Sequence, residues 1–237
     1  MKIIAALLLV SSFTGSQDQD RSGLSSSQVN AIVASFKNRK LSENDSIPNG
    51  FTRVAAVKAD LNQDGIDDLA LIIREKPSAQ TNEGPDNEVL HQAVLLFLGN
   101  QAGTFSFWKI GPHHFVDSNP NFMEEGGVGT FAIKKGILQI QSSTIVSMGS
   151  WFAGGCTQKW RNEKSGLRLI GLTVAEIDRK CACGETRDMN YLTGDEVRTS
   201  DKDAHGEQTR KIRTTKARKS PRVILWEEFA YDTFCTL

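Results

Sequence analysis

The rhythm of apolar positions divides the chain. Near the start, in "SSSQVNAIVASFKNRK", Val29, Ile32, Val33 and Phe36 recur at helical spacing behind a run of serines. Serine hydroxyls accept from the free N–H groups of a first helical turn, so the spacing predicts one amphipathic helix covering an apolar sheet face. From Phe51 the rhythm changes. Apolar runs of about five to eight residues alternate with glycine-containing turns, which is the signature of strands and hairpins. "FTRVAAVKA" and "DLALIIRE" flank an acidic loop, and "HQAVLLFLG" and "TFSFWKIG" flank "NQAG". "GTFAI" and "ILQIQSS" flank "KKG", and "TQKWRN" and "LRLIGLTVAEID" flank "EKSG". Consecutive hairpins pair strands in chain order, and no helical pattern separates them as βαβ units require. The expected fold is mainly β: an antiparallel meander, propeller-like or sandwich-like, with one N-terminal amphipathic helix.

Other segments break this pattern. "KPSAQTNEGPDNE", with Pro77 and Pro85, is expected as an exposed loop. "TSDKDAHGEQTRKIRTTKARKSPR" is nearly free of apolar residues and carries seven basic residues from Arg210 to Arg222 without an acid among them. It reads as a polar basic loop over residues 200–222. "VILWEEFAYDTF" resumes apolar character as a closing strand or short helix. At the other end, "MKIIAALLLVSSFTGSQDQD" has Lys2, an apolar run from Ile3 to Val10, and Thr14 and Ser16 at the −3 and −1 positions of a cut. The expected organisation is a signal peptide at 1–16, a linker at 17–24 and a single β-rich domain at 25–237. That apolar run is too short to cross a bilayer, so no membrane span is expected and the protein is placed in the periplasm or outside the cell.

Composition narrows the partners. The 237 residues balance 28 basic against 28 acidic side chains, which gives no overall attraction to nucleic acid or an anionic membrane. The basic run also lacks the interleaved aromatics that stack on bases, so no nucleic acid partner is expected. Four cysteines, Cys156, Cys181, Cys183 and Cys235, favour two disulfides in an exported chain. Cys181 and Cys183 are close in sequence, so each is expected to bridge to one of the two distant cysteines, in a connectivity left open. A metal or redox site at "CAC" is the alternative, but it lacks a second CxxC or a neighbouring histidine.

The stretch "VKADLNQDGIDDLALIIRE" concentrates chemistry. Counted from Asp60, it places Asp60, Asn62, Asp64 and Asp68 at positions 1, 3, 5 and 9, Gly65 at position 6, and the Ile66 carbonyl at position 7. A tight turn about the glycine directs alternate oxygens inward, and oxygen-only donors suit a hard cation, so the expected metal is Ca2+. Carboxylates crowded together repel one another until a cation turns that repulsion into attraction. It is not an EF-hand: position 12 is Leu71, where a bidentate glutamate would be required, and the flanking segments read as strands.

"VKADLNQDGIDDLALI" followed by "AVLLFLGNQAGTFSF" resembles one FG-GAP/VCBS-type repeat, the β-propeller blade unit of integrin heads and many secreted bacterial proteins. The likeness covers about Val54 to Phe107, and one unit stands where a propeller needs at least four. "GGVGTFAIKKGILQI", "KWRNEKSGLRLIG" and "NYLTGDE" resemble a looser group of small exported bacterial proteins. Some calcium-loop, propeller-like periplasmic proteins inhibit lysozymes or give immunity to wall-degrading toxins. The resemblance therefore implies a binding module and not an enzyme.

No catalytic constellation stands out. There is no GxSxG elbow, and the serines of "SMGSW" have no histidine near them in sequence. His113 and His114 are adjacent, so a strand would point them to opposite faces; a surface loop pair is expected. Glu124 and Glu125 are adjacent and cannot straddle a glycosidic bond. Trp108, Trp151, Trp160 and Trp226 are expected to fill the core. The functional expectation is an exported calcium-binding β protein that binds a protein or cell-wall component without catalysis, in its most concrete form as inhibitor of, or immunity protein against, a wall-degrading enzyme. The alternatives are an envelope hydrolase with an unrecognised active site and a purely structural envelope protein.

Overall fold

The computed structural model describes residues 23–77, 90–115, 124–146, 152–202, 205 and 207–235. The expected signal peptide, most of the linker, most of the Pro77–Pro85 loop and Trp151 lie outside the described residues. Within them the chain is mainly β, with two antiparallel sheets and one longer helix. Among the described residues no helix is long and apolar enough to cross a membrane.

Helix α1 spans Ser26–Phe36. Ser25 caps it: its hydroxyl accepts from the Gln28 N–H, and the Gln28 side chain accepts from the Ser25 N–H at 2.8 Å. This reciprocal pair satisfies two donors that the first turn leaves open. Ile32 and Phe36 are buried, and Val29 packs beside them.

The first sheet is a four-stranded meander in chain order: β1 (Phe51–Ala59), β2 (Asp68–Glu75), β3 (Gln92–Gly99) and β4 (Phe105–Gly111). Its central pair is covered on both faces. Leu69, Leu71 and Ile73 of β2 and Ala93, Leu95 and Phe97 of β3 pack with Ile32 and Phe36 of the helix. Ala70 and Ile72 with Val94 and Leu96 face the other way, into a second cluster. A strand buried on both sides has no polar face, which is why "LALII" and "AVLLFL" show no alternation.

The second sheet has seven strands, also in chain order. They are β5 (Glu124–Lys134), β6 (Ile137–Val146), β7 (Phe152–Glu163), β8 (Gly166–Asp178), β9 (Cys183–Asn190), β10 (Asp195–Lys202) and β11 (Gln208–Arg218). Its inner residues, among them Leu138, Ile140, Trp160, Leu169, Leu172 and Val174, share the cluster with Ala70, Ile72, Val94 and Leu96. The closing segment joins them through Ile224, Trp226, Phe229 and Tyr231. It forms a 3-10 turn at Trp226–Glu228 and a short helix, α2 (Tyr231–Phe234), and not a strand.

Three sequence expectations are corrected. The expected basic loop at 200–222 contains β11, paired with β10 from Asp195↔Arg218 to Lys202↔Gln208. An edge strand with water around it needs backbone partners more than apolar side chains, and lysine and arginine there discourage further strand addition. The disulfides are Cys156–Cys235 and Cys181–Cys183. The short bridge closes because Ala182 takes a left-handed φ of 52° and doubles the chain back, leaving the two Cα atoms 5.1 Å apart. In the loop-entropy picture the bridge across a separation of 79 contributes about 4.5 kcal/mol and the bridge across a separation of 2 about 1.2 kcal/mol. Finally, His114 is not a surface residue: it is 0% exposed.

His114 sits in an aromatic cage. Its ring stacks on Trp226 at 3.9 Å and Phe229 at 4.8 Å, and meets Trp160 edge-on at 5.3 Å. Its Nδ1 lies 2.8 Å from Gln158 Oε1, which also accepts from Trp160 Nε1 at 3.1 Å. Gln158 Nε2 in turn donates to the His114 carbonyl at 3.0 Å. With its amide nitrogen so used, Gln158 offers oxygen to the imidazole, which fixes the proton on Nδ1. Burial pushes the His114 pKa down to about 3.

The folded state therefore keeps His114 neutral where the unfolded chain would protonate it. Its stabilising share is complete above about pH 6.5 and is lost as the pH falls toward 3. Melting temperatures measured across that interval should fall with pH in the native protein and fall less steeply in His114→Phe. Equal slopes in the two proteins would contradict this assignment.

Candidate cation-binding loop

The loop between β1 and β2 begins at Asp60 and ends where Asp68 opens β2. Strand precedes and follows it, as the sequence predicts. The two strands pair up to Ala59↔Asp68, so the intervening residues must reverse direction in a compact coil. Gln63 and Gly65 take positive φ values of 63° and 85° to do so. Glycine meets the second requirement without steric cost, and glutamine adopts the first as a short left-handed excursion.

Asp68 is the inward member. It is 1% exposed, and its Oδ2 accepts from the N–H groups of Leu61 at 3.0 Å and Asn62 at 3.1 Å. Its Oδ1 accepts from Gly99 N–H at 3.0 Å, at the end of β3. One carboxylate thus ties both ends of the loop to the neighbouring strand. Gly99 has no side chain for a reason: a Cβ there would lie 2.0 Å from the Asp67 carbonyl oxygen. Burial raises the Asp68 pKa; the three backbone N–H groups pull it back down, and the Asp64 charge adds to the rise.

Asp60, Asn62 and Asp64 lie toward solvent. Asp60 accepts from Asp64 N–H at 3.2 Å and Gly65 N–H at 2.8 Å, one bond to each oxygen. Asn62 Oδ1 accepts from Asp64 N–H at 3.0 Å, and its Nδ2 donates to Asp64 Oδ2 at 2.9 Å. Asp64 Oδ1 accepts from Ile66 N–H at 2.9 Å. Each of these oxygens accepts one hydrogen bond and keeps a second lone pair. The donors are all oxygen, and so fit a hard cation in kind. Among the described residues, however, the group of three thiol, imidazole or carboxylate ligand atoms lying within 4.8 Å of one another is Asp178, Cys181 and Cys183, and not the three loop aspartates. The structure links Asn62 to Asp64 by a side-chain hydrogen bond and holds Asp68 inside, but it does not gather the carboxylates of Asp60, Asp64 and Asp68 within 4.8 Å of one another.

The remaining candidates disperse. Trp160 and Trp226 are fully buried and Trp108 packs at the edge of the same core, whereas the side chains of Glu124 and Glu125 lie outside the described residues. His113 offers its carbonyl to Tyr231 N–H at 2.9 Å, which anchors the closing helix.

Sequence reasoning missed an ionic hub on β10. Glu196 is 4% exposed and meets Arg198 at 2.6 Å, Arg187 at 3.2 Å and Lys219. The bond from Lys219, helped by the two arginines, holds its carboxyl down to about 2. A buried carboxylate needs such partners, and here they bind β9, β10 and the chain after β11 to one another. Beside it lies a recess of about 200 Å3 bordered by Arg187, Tyr191, Lys219 and Arg222. Alternation of acids and bases on neighbouring strands was its only sequence signal. Comparison with protein-family models, curated proteins and solved structures returns no match.

Proposed function

We propose that the protein is an exported, non-enzymatic binding module in which the Asp60–Asp68 loop takes up Ca2+ and stiffens a β surface. One observation carries the metal reading: a strand–loop–strand unit in which Asp68 is locked by three backbone N–H groups while Asp60, Asn62 and Asp64 keep free lone pairs toward solvent. With the Ile66 carbonyl, these residues would supply the oxygens, and the ion would offset the mutual repulsion of the carboxylates. The buried cluster shared by the two sheets supports a sandwich-like reading of the architecture over a propeller-like one. Two disulfides are compatible with export.

The partner surface in this reading is β11. Arg210, Lys211, Arg213, Lys216 and Arg218 are exposed there around Ile212, which is 71% exposed. Such an edge favours a partner with an acidic face. Inhibition of a cell-wall-degrading enzyme is the most concrete version; it rests on the family resemblance, to which the basic edge adds a place for contact.

Calcium added to chelator-treated protein should raise the melting temperature. At a hundredfold excess over the dissociation constant the gain is about 2.7 kcal/mol, or roughly 5–10 °C for a chain this size. Asp60→Ala and Asp64→Ala should each remove the response, whereas an unchanged melting curve in the native protein would overturn the metal reading. For the partner, a panel of peptidoglycan-degrading enzymes assayed with and without the protein should contain at least one that is inhibited, less so at high salt and less so by Lys211→Glu. A panel left wholly active would remove the inhibitor version.

A further inference from the structure

We propose that Cys181 and Cys183 are a redox-exchangeable pair that, once reduced, joins Asp178 in holding a thiophilic divalent cation of the Zn2+ class. This site is independent of the aspartate loop. Asp178 closes β8 and Cys183 opens β9, so the three residues sit around one tight turn. One ligand atom from each lies within 4.8 Å of the other two, the two sulfurs being bonded to each other until reduction lets them part. Two sulfurs and a carboxylate form a softer set than the oxygen-only loop, and leave a fourth tetrahedral position for water.

The turn is held in ways that do not depend on the bridge. The Asp178 carboxylate accepts from Lys180 N–H at 2.9 Å, and Gln208 Nε2 donates to the Ala182 carbonyl at 3.3 Å. Strands β8 and β9 pair as far as Asp178↔Cys183. Opening the bridge therefore leaves all three donors in place.

The two disulfides differ in access. Cys156 and Cys235 are 0% and 6% exposed inside the inter-sheet core, whereas Cys181 is partly exposed. A dithiol reductant attacks Cys181 Sγ as thiolate and Cys183 leaves as thiolate; the second reductant thiolate then displaces Cys181. Two electrons and two protons pass to the cysteines, and the reductant becomes a disulfide. Metal uptake afterwards releases the thiol protons.

The folded native protein treated with limiting dithiothreitol, then alkylated and peptide-mapped, should carry label on Cys181 and Cys183 while Cys156–Cys235 stays bridged. Cadmium, added alone to this selectively reduced protein, should bind one equivalent and produce a thiolate-to-metal absorption band that the oxidised protein lacks. Asp178→Asn, which keeps both cysteines, should weaken that binding by about tenfold or more. The proposal is overturned if the long bridge opens with or before the short one, if the reduced protein takes up no cadmium, or if Asp178→Asn binds as tightly as the native protein.

Discussion

The fold depends on one buried carboxylate. Asp68 stands where the acidic loop becomes β2, and its two oxygens accept from Leu61, Asn62 and Gly99. Without that acceptor three backbone donors would lose their partner, the Leu61 N–H in a buried site and those of Asn62 and Gly99 in part-buried ones. The bonds also set position. Because Gly99 ends β3, the carboxylate aligns the loop with the two strands that run through both apolar clusters. Everything packed on β2 and β3, the helix on one face and the seven-stranded sheet on the other, inherits that register.

The same logic recurs away from the loop. In the inter-sheet core Gln158 joins His114 Nδ1 and Trp160 within an aromatic cage, while His114 Nε2 is buried without a hydrogen-bond partner. Beyond the core, the later strands have little apolar surface to bury, and Glu196 binds them through charge instead. The sheet thus passes from a wall held by hydrophobic contact to an outer margin held by ion pairs, with basic side chains left at its edge. That gradient leaves the basic edge exposed while the interior is packed.

Much of the architecture could be read from the chain, and the failures have physical causes. The hairpins at "NQAG", "KKG" and "EKSG" were legible because turn residues and apolar runs are local signals. The double burial of β2 and β3 leaves its trace in their unbroken apolar stretches, which by sequence alone read only as strands. Strand β11 was not legible, since its stability comes from pairing with β10 and not from its own side chains. The place of His114 depends on Gln158, 44 residues away, so adjacency to His113 misled. The short disulfide turned on the backbone angle of Ala182, which spacing alone does not disclose. At the acidic loop, its course between two strands was legible, but the division between a buried Asp68 and an exposed Asp64 required the fold.

Denaturant unfolding of Asp68→Asn in calcium-free buffer tests the central claim most directly. The substitution keeps the shape and replaces one acceptor oxygen with a donor. The account predicts a loss of about 2 kcal/mol or more in calcium-free stability, because at least one buried N–H then faces another donor. A free energy of unfolding equal to that of the native protein would contradict it.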